Sequence, residues 1–256
     1  MVPIVLVRGL LRESGHWQSM LDALTRSSPD IITITPNVPG NGEKFGEFSP
    51  LTIEDMLPAM LEQLPTNCHH YHLVAISMGS MLASHWAHTL PNQVASLTLI
   101  NPSFSRYSPF WRRINIHALL SIGISSIKGS EAFQKSIIKW TSPTSLGHPE
   151  VLAHHHYLAQ QHPVSAYNAI RQLCAAARFK GQSTPPTCPT QIIVSAGDKL
   201  VDSRCGEAIA KAWQVELYRF ESEAHDLPLA EPQVLCQHLL AWLIKVENTA
   251  TTPAPD

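Results

Sequence analysis

Residues 73–82 have the sequence LVAISMGSML. An apolar run of strand-forming residues stops at Ser77, and the spacing of an amphipathic helix begins directly after it. A buried strand that turns sharply into a helix at a serine is the context of a nucleophile elbow, which presents the serine Oγ at the end of a parallel sheet. The turn needs small residues two positions to either side, and here they are Ala75 and Gly79. The segment therefore predicts a nucleophilic serine.

Ser77 alone is weak evidence, because a serine before a helix is more often only an N-cap. Two partners strengthen the prediction. Asp198 follows one predicted strand and His225 follows the last one, in the chain order Ser, Asp, His. Side chains at the carboxyl ends of parallel strands face the crevice where ligands bind. We predict that His225 is the general base and that Asp198 orients it; the alternatives for this carboxylate are a plain turn role and Asp202 as a reserve.

Short β-branched runs alternate with helical patterns along the chain. This rhythm predicts an α/β fold with a mostly parallel, doubly wound sheet of about six strands and helices on both faces. From 101 to 189 only helical patterns occur, which predicts an inserted all-helical cap. Residues 1–100 and 190–247 then form the core, and the Thr-, Ala- and Pro-rich tail 248–256 is predicted to be disordered.

Composition excludes several classes of function. The chain has 256 residues, of which 44% are hydrophobic and 15% charged, with a formal net charge of −2. Lys and Arg are not clustered as a nucleic-acid surface requires, and no apolar stretch approaches the roughly 20 residues that span a bilayer. The first residues lack the features of a signal peptide, and the five cysteines lack the spacing of a zinc site. We expect a cytoplasmic protein with reduced thiols and no nucleic-acid or membrane partner.

Two groups of histidines, at 69–72 and 154–156, are conspicuous in the sequence. Consecutive side chains on a helix point in different directions, so such a group cannot chelate one metal ion well. We predict that both groups lie on the surface, and we expect neither a metal nor a cofactor.

Three segments resemble the catalytic blocks of α/β-fold hydrolases: SMG at 77–79, GDKLV at 197–201 and AHDLPL at 224–229. The segment VLVRGL at 5–10 resembles the one that supplies part of the oxyanion hole in that family. The resemblance covers about residues 3–245. It implies an oxyanion hole formed by the backbone N–H groups of Leu10 and Met78. The family usually has a His-Gly pair at the start of this loop, whereas this chain has Arg8 followed by glycine.

The resemblance and the three side chains predict a serine hydrolase. Its reaction would be cleavage of a small or medium-chain carboxylic ester or thioester through an acyl-serine intermediate, which makes it a carboxylesterase or a thioesterase. The alternatives are a C–C hydrolase, a perhydrolase or an acyltransferase on the same triad, or a ligand receptor that does not catalyse. A dehalogenase or an epoxide hydrolase would need aspartate at position 77.

The predicted cap supplies aromatic side chains suited to an acyl chain. The candidate substrate contacts are Arg8, Phe104, Tyr107, Phe110, Trp111 and Tyr157. Four arginines, at 8, 12, 112 and 113, are candidates for attracting a carboxylate or the phosphate of an acyl carrier. The expected partner is a small ester or acyl substrate, with an acyl-carrier protein as a further candidate.

Overall fold

The computed structural model describes residues 2–251, and a sheet of six parallel strands runs through its centre. The strands are β1 (Ile4–Val7), β2 (Thr33–Ile34), β3 (Tyr71–Ile76), β4 (Val94–Ile100), β5 (Thr190–Ser195) and β6 (Glu216–Phe220). Their order is β2-β1-β3-β4-β5-β6, and every neighbouring pair is parallel. The predicted fold class is confirmed.

Helices cover both faces of this sheet. They are α1 (Gln18–Ser27), α2 (Leu57–Leu61), α3 (Met78–Thr89), α4 (Phe110–Arg113), α5 (Ile116–Ser126), α6 (Ser130–Thr141), α7 (Pro149–Gln161), α8 (Ala166–Arg178), α9 (Arg204–Trp213), α10 (Leu227–Ala230) and α11 (Pro232–Thr251). Successive strand residues point to opposite faces. Ile4 and Leu6 therefore join a core with α1 and α11, whereas Val5 and Val7 join a core with α2, α3 and α9.

The segment between β4 and β5 is helical, as the sequence predicts for an inserted cap. Residues 101–189 contain the five helices α4 to α8 and no strand. Helices α5, α6 and α8 of this segment line one cavity with Ser77 and His225, which follow the carboxyl ends of β3 and β6. The division of the chain into a core and a cap domain stays a prediction.

The last helix of the structure reaches into the tail that is predicted to be disordered, and the disorder of that tail stays a prediction. Helix α11 continues through 248–251 and ends two residues before Pro253. Helix propagation adds a hydrogen bond for each residue fixed, so a helix anchored by the buried Leu243 and Val246 can continue through 248–251. Residues 252–256 lie outside the described residues.

The five cysteines are free thiols, and they are Cys68, Cys174, Cys188, Cys205 and Cys236. Among residues 2–251, none of the helices combines the length and the apolar character needed to cross a bilayer.

The crevice that contains the site lies at a topological switch point of the sheet. After β2 has formed on one side of β1, the chain crosses over and forms β3 on the other side. Strand β1 has β2 on one side and β3 on the other, and ligands bind at such switch points in open α/β sheets. Here the first turn of α3 presses against the end of β1. A Cβ atom added to Gly79 would lie 2.5 Å from the Val7 carbonyl oxygen and 2.6 Å from that of Arg8. Only glycine fits this contact.

We expect Gly79→Ala to destabilise the protein by at least about 1–3 kcal/mol, because its methyl group meets backbone atoms that cannot rotate away. Gly123→Ala is the matched control. It lies in α5 with no atom within 4 Å of its added Cβ, and alanine there should stabilise the helix by about 0.5–1 kcal/mol. Urea unfolding of the two variants measures both effects, and equal midpoints would contradict the prediction.

Candidate active site

Ser77 occupies the sharp turn between β3 and α3. Its φ is 57° and its ψ is −122°, and a positive φ is rare for a residue with a side chain. Hydrogen bonds on both sides hold this conformation: the Ser77 N–H donates to the Ile100 carbonyl at 2.9 Å, and Ser80 Oγ donates to the Ala75 carbonyl at 2.9 Å. Strain of this kind persists where the surroundings impose it, often at functional sites.

The backbone of residue 9 passes directly beside this turn. A Cβ atom on Gly9 would lie 3.0 Å from the Ser77 Cβ and 3.2 Å from the Ile76 carbonyl oxygen. The loop after β1 therefore lies against the serine, which is the position that the family resemblance implies for the oxyanion loop.

Asp198 and His225 form a buried pair on two other loops at the carboxyl end of the sheet. His225 Nδ1 lies 2.6 Å from Asp198 Oδ2, and the two side chains are 5% and 0% exposed. The second oxygen of Asp198 accepts the N–H groups of Leu200 at 2.8 Å and Val201 at 3.0 Å. The carboxylate is thus fixed by its own loop and fixes the imidazole in turn.

The pKa of His225 lies above its ordinary value. Burial lowers it, but the charge of Asp198 and its hydrogen bond raise it by more, with a further contribution from Asp226. A base whose protonated form is stabilised by a buried carboxylate is suited to take up a proton during a reaction.

Ser77 and His225 line the same cavity but are not joined by a hydrogen bond. Within residues 2–251, His225 Nε2 is buried and has no hydrogen-bond partner. Nucleophile–base hydrogen bonds are often long or absent in proteins without substrate. Of the two ring nitrogens of His225, Nδ1 faces Asp198 and Nε2 is the one without a partner among the described residues.

The two amides that the resemblance assigns to an oxyanion hole also lie at this cavity. Leu10 and Met78 are part of its wall, and neither N–H has an acceptor among the described residues. The Met78 N–H belongs to the first turn of α3, where amides have no partner within the helix and the helix dipole favours negative charge.

The cavity has a volume of about 770 Å³ and is lined by both polar and apolar side chains. Its polar wall includes Arg8, Arg12, Glu13, His16, Gln134 and Asp226. Its apolar wall comes mostly from the helices between β4 and β5 and includes Leu119, Ile122, Phe133, Ile137, Ile170 and Leu173. Such a cavity fits a substrate with one apolar and one polar part.

Comparison with known proteins identifies the family. The model of the alpha/beta hydrolase family matches residues 4–238. The chain belongs to this family. The human monoacylglycerol lipase ABHD6 is 23% identical, across 96% of this chain and 76% of the lipase.

Solved structures with this fold include other alpha/beta hydrolases. A thermophilic esterase from Thermogutta terrifontis with bound malate has a TM-score of 0.74 and 22% identity, covering 96% of this chain and 90% of the esterase. A serine hydrolase from Cycloclasticus zankles has a TM-score of 0.77 and 14% identity, covering 95% and 90%. At these identities the likeness shows the fold alone.

Arg8, which departs from the family's usual histidine, makes a buried ion pair in this alpha/beta hydrolase. Its Nη1 lies 2.7 Å from Asp226 Oδ1, with side chains 4% and 6% exposed. Its Nη2 donates to the His16 carbonyl, and its guanidinium lies 4.6 Å from the centre of the Trp17 ring. Because Asp226 directly follows His225, this pair ties the loop after β1 to the loop that carries His225. Arg8 lines the cavity, but its charge is already neutralised.

The other predicted substrate contacts divide into three groups. Phe110 lines the cavity. Phe104 and Tyr107 do not: Phe104 is fully buried in the core, and the Tyr107 hydroxyl accepts the Trp213 indole N–H at 2.9 Å. Trp111 and Tyr157 are exposed outside the cavity. The prediction is corrected for these four side chains, because tertiary packing directs them into the core or to the outer surface.

Asn101 was missed by the sequence analysis, although it holds the site together. It directly follows β4 with a φ of 47°. Its Nδ2 donates to the His225 carbonyl at 2.8 Å and its Oδ1 accepts the Ser195 N–H at 2.8 Å. The available signal was its position, a polar residue at the carboxyl end of β4, which lies beside the strand that leads to Ser77. Asp202, the reserve carboxylate, pairs instead with Arg204.

The histidine groups are only partly on the surface. His72 is buried and lies 2.7 Å from Ser96 Oγ, and His155 is buried edge-on against His16, with ring centres 4.7 Å apart. The surface prediction is wrong for His72 and His155 because the strand and the cap helix turn these two rings inward. Among residues 2–251, no group of three or more His, Cys, Asp or Glu is arranged to hold a metal ion.

Burial, with Arg12 and Arg8 nearby, lowers the pKa of His155 to about 2. The unfolded chain binds this proton near pH 6.5, so between these two values the unfolded state holds more protons and stability falls as the pH falls. The variant His155→Phe keeps the edge-on ring contact. Between pH 7 and pH 5, we expect its free energy of unfolding to fall by about 2 kcal/mol less than that of the wild type.

Urea unfolding at both pH values tests this expectation, with the exposed His70→Phe as control. If the free energy of unfolding fell equally in the wild type and in His155→Phe, His155 would not be held neutral in the folded protein.

Proposed function

We propose that this protein is a serine hydrolase that cleaves a small or medium-chain carboxylic ester or thioester through an acyl-serine intermediate. The observation that carries the proposal is one cavity that contains the strained Ser77, the His225 Nε2 and two amides, none of the last three having a hydrogen-bond partner among the described residues. The esterase and lipase among the similar proteins support the same reaction class.

In the first half of the proposed reaction, His225 Nε2 takes the proton of Ser77 as Oγ attacks the carbonyl carbon. The negative charge on the carbonyl oxygen is stabilised by the N–H groups of Leu10 and Met78, each worth about 10²–10³-fold in rate. The imidazolium, stabilised by Asp198, then gives its proton to the leaving alcohol or thiol. In the second half, His225 activates water in the same way and the carboxylic acid leaves.

Ser77→Ala should lower kcat by roughly 10⁴–10⁶-fold on p-nitrophenyl acyl esters and should abolish rapid labelling by a fluorophosphonate probe. Stability should change little, since no hydrogen bond to Ser77 Oγ occurs among the described residues. Labelling of Ser77→Ala at the wild-type rate would refute the proposal. An inert serine in the wild type would favour the receptor, and faster cleavage of a β-diketone than of any ester would favour a C–C hydrolase.

Asp198→Asn should lower kcat by roughly 10³–10⁴-fold, because an amide cannot hold the imidazole in the tautomer that accepts the serine proton. Asp202→Asn is the matched control: its carboxylate pairs with Arg204 and does not contact His225, so little change is expected. Comparable losses in both variants would show that charge near the site, and not the contact with His225, determines the rate. The acyl-carrier partner and the cytoplasmic location stay predictions.

A further inference from the structure

Arg12 is a buried cation in the wall of the proposed active-site cavity. It lies on the loop after β1, and 6% of the residue is exposed. Its main chain is held in place, because the Arg12 N–H donates to the Gly9 carbonyl at 3.3 Å and its carbonyl accepts the Asn41 side-chain amide at 2.8 Å. The guanidinium is therefore presented from a fixed loop.

The hydrogen-bond partners of the Arg12 side chain carry no negative charge. Its Nη1 donates to Gln134 Oε1 at 3.0 Å and lies 3.1 Å from His16 Nε2. Its Nη2 has no acceptor, and no carboxylate lies within ion-pair distance of Arg12 among residues 2–251. Burial, with the nearby Arg12 charge, lowers the pKa of His16 well below its ordinary value, so this imidazole is neutral.

The two other arginines of the cavity wall donate to groups that carry a full or partial negative charge. Arg8 pairs with Asp226 at 2.7 Å. Arg113 donates to the carbonyls of Ala176 at 2.6 Å and Ala177 at 3.2 Å, in the last turn of α8, where the helix dipole is negative. Arg12 is the one of the three whose described partners are all neutral side chains.

The nearest acidic groups are already engaged. Glu13 Oε2 lies 2.8 Å from His162 Nδ1, and Asp226 faces Arg8. Burial lowers the pKa of Arg12 to about 10. The charges of Asp226 and Glu13 raise this pKa, and the charge of Arg8 lowers it further. The guanidinium thus stays protonated at neutral pH. Charges buried in proteins are normally paired, because an unpaired one is costly.

We propose that Arg12 binds a carboxylate of the substrate, so that this hydrolase acts on esters or thioesters carrying a carboxylate away from the scissile bond. The inference rests on the proposed function of the same cavity. A guanidinium matches the planar carboxylate through two parallel hydrogen bonds. One cation balances the single charge of a carboxylate but not the charge of about −1.5 to −2 on a phosphate monoester. The apolar wall then holds the methylene chain between the two groups.

Monomethyl esters of succinic, glutaric, adipic and suberic acids test this proposal against the half-amides of the same lengths, which are neutral and nearly isosteric. In a second arm, acetyl esters of ω-hydroxy acids and of their amides place the carboxylate on the leaving group. We expect a higher kcat/KM for acid than for amide, by roughly 10- to 100-fold at the best chain length, as loss of a charged hydrogen bond implies.

Arg12→Gln should bring this ratio close to one, and Arg12→Lys should retain part of it. The matched control Arg26→Gln removes the same charge from the exposed face of α1 and should keep the wild-type ratio. Because each ratio is measured within one variant, partial loss of folded protein does not affect it. A wild-type ratio of one or less in both arms, or a ratio unchanged in Arg12→Gln, would overturn the proposal.

Binding without turnover separates this inference from the proposed function. Calorimetric titration with hexanoate and with hexanamide needs no catalysis. We expect hexanoate to bind the wild type at least about tenfold more tightly than Arg12→Gln, with no such difference for hexanamide. Equal binding of hexanoate to both proteins refutes the carboxylate site even if esters are cleaved. A difference without ester cleavage supports the site and refutes the hydrolase.

Discussion

The contact between the end of β1 and the first turn of α3 is the constraint on which the rest of the site depends. The carbonyls of Val7 and Arg8 leave no room for a side chain at Gly79, so the chain turns within one residue and places Ser77 at a positive φ. The same contact brings the loop after β1 beside the serine. Since parallel strands end on one side of a sheet, the loops after β5 and β6 bring Asp198 and His225 to the same crevice.

Sequence patterns predicted the features that depend on residues close to one another in the chain. The strands, the turn at Ser77 and the chain order of the three polar residues follow from periodicity and position, and the structure brings Asp198 and His225 into contact. Features set by packing between distant segments were missed. Asn101 bridges β5 and the loop that carries His225, about a hundred residues away in the chain. Phe104 belongs to the core because it packs against Phe179 and Trp213. No local pattern carries such information.

Two neighbouring arginines on one loop differ in their surroundings. Arg8 stands where the family usually has histidine and has a carboxylate partner next to His225, whereas the described partners of the Arg12 side chain are neutral. Removing two charges from water often costs as much as their attraction returns. The ion pair of Arg8 is therefore better understood as a positional link between the loop after β1 and the loop that carries His225 than as a source of stability.

The two edge strands of the sheet, β2 and β6, limit pairing with a strand from a second molecule in different ways. β2 contributes only two residues, so an additional strand would find few unpaired backbone groups there. At the opposite margin, Glu216 and Arg219 of β6 are engaged by Lys245 and Glu207 from the neighbouring helices. Charged side chains at such a margin discourage intermolecular strand addition. Edge-to-edge pairing through this sheet is therefore opposed by the short β2 at one edge and by charged side chains at the other, where Leu217 and Tyr218 are also exposed.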